Sequence, residues 1–289
     1  RRIGMAASGN TGCLLEVEGL GVSYGRVRAL GPVSFEVRAG QVVGIVGESG
    51  SGKSTLLRAI ARLLPPQARV AEGDVRFAGQ SLLALREADM RRLRGGKLSY
   101  LFQNGQLSLD PLFSVEDQFD EVLAAHGREM GRSEKVAVLE SLGIDDVEHV
   151  LSSLPSELSG GLCQRVAIAF ALAGEPLLLL ADEPTSALDV DSRNQVGGLL
   201  RRLKNERDMA ILLVGHDIEF VASLSDYLLV MRGGRVLESG DPQTVLKNPS
   251  HPYTRELIAS IPRFERPFVS LRHEGSGDCR YIGKGHHAS

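Results

Sequence analysis

The chain has no tryptophan, only three cysteines, and aromatic residues at 5% of its 289 positions. Cys13, Cys163 and Cys279 stand far apart without a Cys-x-x-Cys pair, which supports neither a disulfide framework nor a zinc site. No apolar run approaches the roughly 18–20 residues that cross a bilayer as a helix. Residues 177–181, the longest candidate, are far too few. The opening RRIGMAASGNTG is basic but has no apolar stretch, unlike a secretory signal. A formal net charge of -3 gives no bulk attraction for nucleic acid, and no nucleic-acid partner is expected. No long internal repeat is visible. These absences predict a soluble cytosolic protein that reaches a membrane only through a membrane partner.

Hydrophobic residues make up 43% of the chain, enough for a proper core. Residues 14–22 and 33–37 alternate as short strands. Residues 41–46, QVVGIV, form a compact apolar run expected to be a buried strand, which leads straight into GESGSGKST. Residues 56–64 then have helical spacing and stop at Pro65-Pro66. Further strands are expected at 74–77 and 98–102. Between about Gln106 and Gln164 the pattern turns helical, including residues 114–123 and 133–142. Two apolar strands, 177–181 and 210–214, flank a helix at 192–207, and residues 227–231 and 235–238 read as a hairpin around Gly233-Gly234. Beyond Gly240 the chain is dotted with proline, and a tail of about fifteen residues rich in Gly, His and Ser reads as disordered.

Gly47, Glu48, Ser49, Gly50, Ser51, Gly52, Lys53, Ser54 and Thr55 fit the pattern G-x-x-x-x-G-K-[ST]. Its glycines let consecutive backbone N–H groups curl toward phosphate oxygens at a helix N-terminus. Lys53 is placed to meet the β- and γ-phosphates, and the Ser54 hydroxyl to ligate Mg²⁺. The run LLLLADE supplies a complementary half: an apolar strand ending in Asp182, near the metal, with Glu183 next to poise water for attack. ATP and Mg²⁺ are the cofactors this pairing implies.

Leu158-Ser159-Gly160-Gly161, followed by Gln164-Arg165 and lying just before the acidic strand, resembles the signature of the ATP-binding cassette (ABC) ATPases. The resemblance extends over nearly the whole chain. It implies an α/β P-loop NTPase core, an antiparallel β subdomain, an inserted α-helical subdomain and a C-terminal extension. The expected bounds are 14–240 for the ATPase domain, about 104–165 for the insert and 241–289 for the extension. Tyr24 in VSYG matches the aromatic that stacks on adenine, and Gln103 the Q-loop glutamine that touches Mg²⁺. Asp189 falls in the D-loop match SALD, and His216 matches the switch histidine that contacts the γ-phosphate. Ser159, Gly160 and Gly161 would face nucleotide held by a second cassette, identical or homologous, because one cassette does not enclose the triphosphate. The resemblance assigns Glu183, His216 and Lys53 to catalysis, and Ser54, Gln103 and Asp182 to Mg²⁺.

Residues 248–255, NPSHPYTR, together with the FQ…SLDPL pattern of 102–112, are similar to the peptide and nickel importer branch. An ATPase subunit for peptides, nickel or metal–chelator complexes is therefore expected. It would sit peripherally on the cytoplasmic face of the inner membrane, bound to transmembrane permease subunits and served indirectly by an extracytoplasmic binding protein. The alternatives are an exporter or lipoprotein-release ATPase, or a regulatory module without turnover. Two departures stand out: Leu162-Cys163 follow the signature glycines, and Cys279 alone in the tail predicts no iron–sulfur centre. His286-His287 as a pair fall short of a metal shell.

Overall fold

The computed structural model describes residues 13–186 and 188–260. The Gly-, His- and Ser-rich tail, Cys279 and His286-His287 fall outside them. Strands β1 (Cys13–Tyr24) and β2 (Val27–Arg38) form a long antiparallel hairpin, followed by β3 (Val42–Val46). After α1 (Lys53–Ile60) come β4 (Ala68–Phe77), the two-residue β5 (Gln80–Ser81), α2 (Glu87–Leu93) and β6 (Leu98–Leu101). A helical stretch follows: α3 (Gly105–Ser108), α4 (Val115–Ala125), α5 (Arg132–Ser141), α6 (Val147–Ser152) and α7 (Gly160–Leu172). Then β7 (Leu178–Asp182), α8 (Val190–Arg207), β8 (Ala210–Gly215) and α9 (Ile218–Leu224) lead to the hairpin of β9 (Tyr227–Arg232) and β10 (Arg235–Gly240). Two short helices, α10 (Pro242–Lys247) and α11 (Pro252–Ala259), end the described chain.

The strands form two sheets, one in the order β2-β1-β4-β5 and one in the order β10-β9-β3-β8-β7-β6. In the six-stranded sheet β9, β3, β8, β7 and β6 run parallel and β10 is an antiparallel edge. All residues of β3, β7 and β8 are buried, as expected for parallel strands covered on both faces. Successive side chains of a strand point to opposite faces, and β3 divides accordingly. Val42 and Val46 join the core shared with α4–α9, whereas Val43 and Ile45 join the core shared with α1 and the antiparallel sheet. β3 thus carries the phosphate-loop sequence out of the centre of the molecule.

Several expected bounds move, among them the start of β2, at Val27 rather than residue 33. β4 begins at Ala68 rather than residue 74, because it pairs with β1 from Tyr24↔Ala68 to Leu15↔Phe77. Its first half, Ala68-Arg69-Val70-Ala71-Glu72, has no buried residue, so no apolar face marks it. The helix expected at 56–64 instead runs from Lys53 to Ile60. Gly52, left-handed at φ 99°, sets its start, and the left-handed Arg62, at φ 53°, stands beyond its end.

Candidate active site

The loop after β3 is shaped by close packing. Gly47 has φ 155°, and a Cβ there would stand 2.1 Å from the Met231 carbonyl oxygen, so no larger residue fits without moving β9. Gly52 caps α1 without a side-chain hydrogen bond. The amides of the first helical turn therefore face outward as an anion cradle. Lys53, only 4% exposed, donates from Nζ to the carbonyls of Gly47 (2.7 Å) and Glu48 (2.9 Å). Burial lowers its pKa, against the nearby carboxylates of Glu183, Asp182 and Glu48, which raise it.

The acidic strand reaches the same place. Asp182, buried at the end of β7, accepts from Ser54 Oγ at 2.7 Å and from Tyr100 Oη at 2.8 Å. Glu183 stands in the left-handed region at φ 46°, a conformation that costs energy in a non-glycine residue and clusters at functional sites. Its Oε2 accepts from Gln103 Nε2 at 3.2 Å and lies 3.3 Å from His216 Nδ1. Its Oε1 is 3.9 Å from Lys53 Nζ. A cavity of about 540 Å³ is lined by residues 49–55, Gln103, Glu183 and His216, with Val27, Arg28, Ala29 and Gly233 on its other side.

The oxygen-bearing side chains of Ser54, Asp182 and Gln103 suit a hard cation such as Mg²⁺, which takes few protein ligands and completes its shell with water and phosphate oxygens. No group of three or more His, Cys, Asp or Glu that could hold a metal occurs among the described residues.

Other expected site residues lie elsewhere. Tyr24 ends β1 opposite Val27 and Ala68 and packs against the core; Val27 and Arg28, not Tyr24, line the cavity. Ser159 caps α7, accepting from the Leu162 amide at 3.3 Å, and Gly160 and Gly161 open that helix. Asp189 caps α8 through Ser192, whose amide and hydroxyl hold its pKa down. None of these lines the cavity, although the two caps are neighbours: a Cβ on Gly161 would lie 3.1 Å from Ser192 Oγ. The sequence reading missed Tyr100. Burial, then the charge of Asp182, raises its pKa, and Arg58 works the other way. Its signal was a tyrosine in an otherwise buried strand, since a buried hydroxyl needs a partner.

Residues 30–186, more than half of the chain, match the family described as ABC transporter. The chain belongs to the ABC transporter ATPases. Residues 237–284 also match the family described as oligopeptide/dipeptide transporter, C-terminal region. The chain is 40% identical over 260 residues to the oligopeptide transport ATP-binding protein OppD of Bacillus subtilis, covering 87% of this chain and 73% of that protein. It is 41% identical over 266 residues to the peptidoglycan transport ATP-binding protein YejF of Agrobacterium fabrum, covering 89% of this chain but 49% of that longer protein. A solved ATP-binding cassette, captured as a dimer in a post-hydrolysis state with ADP and Pi, superposes with a TM-score of 0.70. The two are 28% identical, with 79% of this chain and 99% of that one covered. The ABC ATPase described here binds ATP with Mg²⁺ and hydrolyses it. Among the described residues no helix is long and apolar enough to cross a membrane.

Proposed function

We propose that this ABC ATPase energises the import of oligopeptides or dipeptides, as one of two cassettes docked on permease subunits at the cytoplasmic face of the inner membrane. An extracytoplasmic binding protein would deliver the cargo to the permease. The observation that carries this reading is the match of residues 237–284 to the oligopeptide/dipeptide transporter C-terminal region, on a chain whose earlier residues form the ATPase. The relatives named for oligopeptide and peptidoglycan transport favour peptide-class cargo over the nickel alternative. In this reading residues 14–240 are the ATPase domain, 104–165 its helical insert and 241–289 the importer-type extension.

Catalysis follows from the cavity's geometry. The loop amides and Lys53 bind and orient the β- and γ-phosphates, with an arriving phosphate replacing the Gly47 and Glu48 carbonyls at the ammonium. Ser54, Asp182 and Gln103 would hold Mg²⁺, which offsets phosphate charge when bound. Glu183 accepts the proton of the attacking water, and His216 keeps γ-phosphate and water in line. A positioned base contributes roughly 10²–10⁴-fold, about 3–5 kcal/mol of barrier at ~1.4 kcal/mol per decade. Ser159, Gly160 and Gly161, which do not line their own chain's cavity, are assigned to the partner cassette's nucleotide, and Asp189 to the same interface. Tyr24 is assigned to adenine.

Permease docking is supported by the segment after Gln103. Phe102, Leu107, Leu112 and Phe113 are 47%, 83%, 80% and 51% exposed, large apolar side chains close in sequence and open to a partner. Phe102, Leu107 and Gln103 also line a cavity of about 710 Å³ that reaches α7 at Ala167 and Phe170. The test is to isolate the chain with its native membrane subunits, place the complex in vesicles and measure phosphate release while adding peptides with the cognate binding protein. Stimulation by oligopeptides or dipeptides is expected. A complex that answers to nickel chelates and to no peptide would overturn the cargo assignment.

A further inference from the structure

Tyr253 sits on the first turn of α11, 2% exposed, and its hydroxyl reaches the phosphate loop. The Glu48 amide donates to Tyr253 Oη at 3.1 Å. The carbonyl of the same Glu48 accepts from Lys53 Nζ at 2.9 Å. One residue of backbone thus separates the C-terminal helix from the lysine ammonium. Burial raises the Tyr253 pKa, so the group is a neutral hydroxyl at neutral pH and accepts the amide's hydrogen bond without adding charge.

The ring and the backbone that carries it are each held in place. The Arg232 guanidinium, at the end of β9, lies 4.6 Å from its centroid, a cation–π contact. The neighbouring Met231 carbonyl is the atom that confines Gly47, so β9 braces the loop and the tyrosine together. Ahead of the helix, the Glu238 carboxylate of β10 accepts from the amides of Ser250 (2.7 Å) and His251 (3.0 Å). His251 Nδ1 in turn accepts from the Tyr253 amide at 3.1 Å. α11 is therefore anchored to the sheet independently of its contact with the loop.

We propose that Tyr253 is a positioning residue for the phosphate loop, holding the Glu48 peptide where Lys53 can meet the β- and γ-phosphates and so coupling the C-terminal extension to nucleotide affinity. The inference rests on the reading of residues 47–55 as the phosphate loop. Without the hydroxyl, the Glu48 N–H loses its acceptor, and a loop built on Gly47, Gly50 and Gly52 regains freedom that nucleotide must then remove.

The test uses the full chain. Tyr253→Phe keeps the ring on Arg232 and removes only the hydroxyl. Calorimetric titration with Mg-ATP is expected to show about 3- to 10-fold weaker binding, the worth of one net hydrogen bond, with the melting temperature lowered by no more than about 4 °C. KM for ATP should rise by the same factor at constant kcat, the signature of lost uniform binding. Hydrogen–deuterium exchange should quicken across residues 47–53 and not across β8. Wild-type affinity and exchange in Tyr253→Phe, or a lowered melting temperature with unchanged affinity, would overturn the proposal. Lys53→Ala separates the two layers of argument. If it binds Mg-ATP like the wild type, the phosphate-loop reading itself falls. If it loses binding while Tyr253→Phe does not, only the role of Tyr253 falls.

Discussion

Three side chains crowd the Glu183 carboxylate: Gln103 and His216 at Oε2 and, more distantly, Lys53 at Oε1. A left-handed backbone at this residue aims it back across the cavity instead of along β7. Replacing Glu183 with Gln preserves shape and hydrogen-bonding capacity while removing the base. Glu183→Gln should therefore bind Mg-ATP as the wild type does and lose about 10²–10⁴-fold in turnover, compared by calorimetry and phosphate release. Near-normal hydrolysis would take the base role from Glu183. Lys53, Ser54, Asp182 and Glu183 were readable in the sequence because their chemistry is packed into two short runs, each attached to an apolar strand. Tyr100 and Tyr253 were not, because their partners Asp182 and Glu48 lie 82 and 205 positions away. Only the fold brings such pairs together.

At the scale of elements, one carboxylate ties down the entry to α11. Glu238 takes the Ser250 amide and hydroxyl and the His251 amide, at the N-terminal end of the helix, where negative charge is favoured. Burial pushes its pKa up, but the Thr254 hydroxyl beside it and the Ser250 and His251 amides outweigh that and hold it at about 2, against an ordinary 4.5. Folding lowers this pKa, so its contribution is fully present above about pH 4.5 and fades as the pH falls toward 2. Glu238→Gln should cost about 1 kcal/mol at pH 7, since the amide oxygen still accepts and solvent screens the charge. The deficit should shrink as urea denaturation is repeated at descending pH below 4.5; a deficit independent of pH would show that charge is not what ties α11 down. The hydrophobic period announced β3, β7 and β8, which are buried throughout. It could not announce the exposed half of β4, whose course is fixed by pairing with β1. Nor could it place the start of α1, which follows from the left-handed Gly52.

At the scale of the whole molecule, residues 49–55 and the run Ser159–Gly161 do not share a cavity. The loop, Gln103, Glu183 and His216 share one cavity, while Ser159–Gly161 stand outside it at the start of α7. Order and spacing in the sequence named both halves, but one chain's geometry keeps them apart. If the chain pairs with itself about a two-fold axis, each dimer has two composite sites, each joining one loop to the other chain's signature. Lys53→Ala disables the loop and Ser159→Arg the signature, so either variant alone has no working site. In a mixed dimer the two lesions fall in the same site and leave the other intact. An equal mixture, exchanged before assay, should then recover about a quarter of wild-type turnover, as half the dimers are mixed and each keeps one of two sites. Phosphate release from the two variants, separate and mixed, measures this directly. Silence from a mixture whose dimers are confirmed by light scattering would mean that both sites must fire together, whereas variants that stay monomeric would mean that the partner is a different cassette.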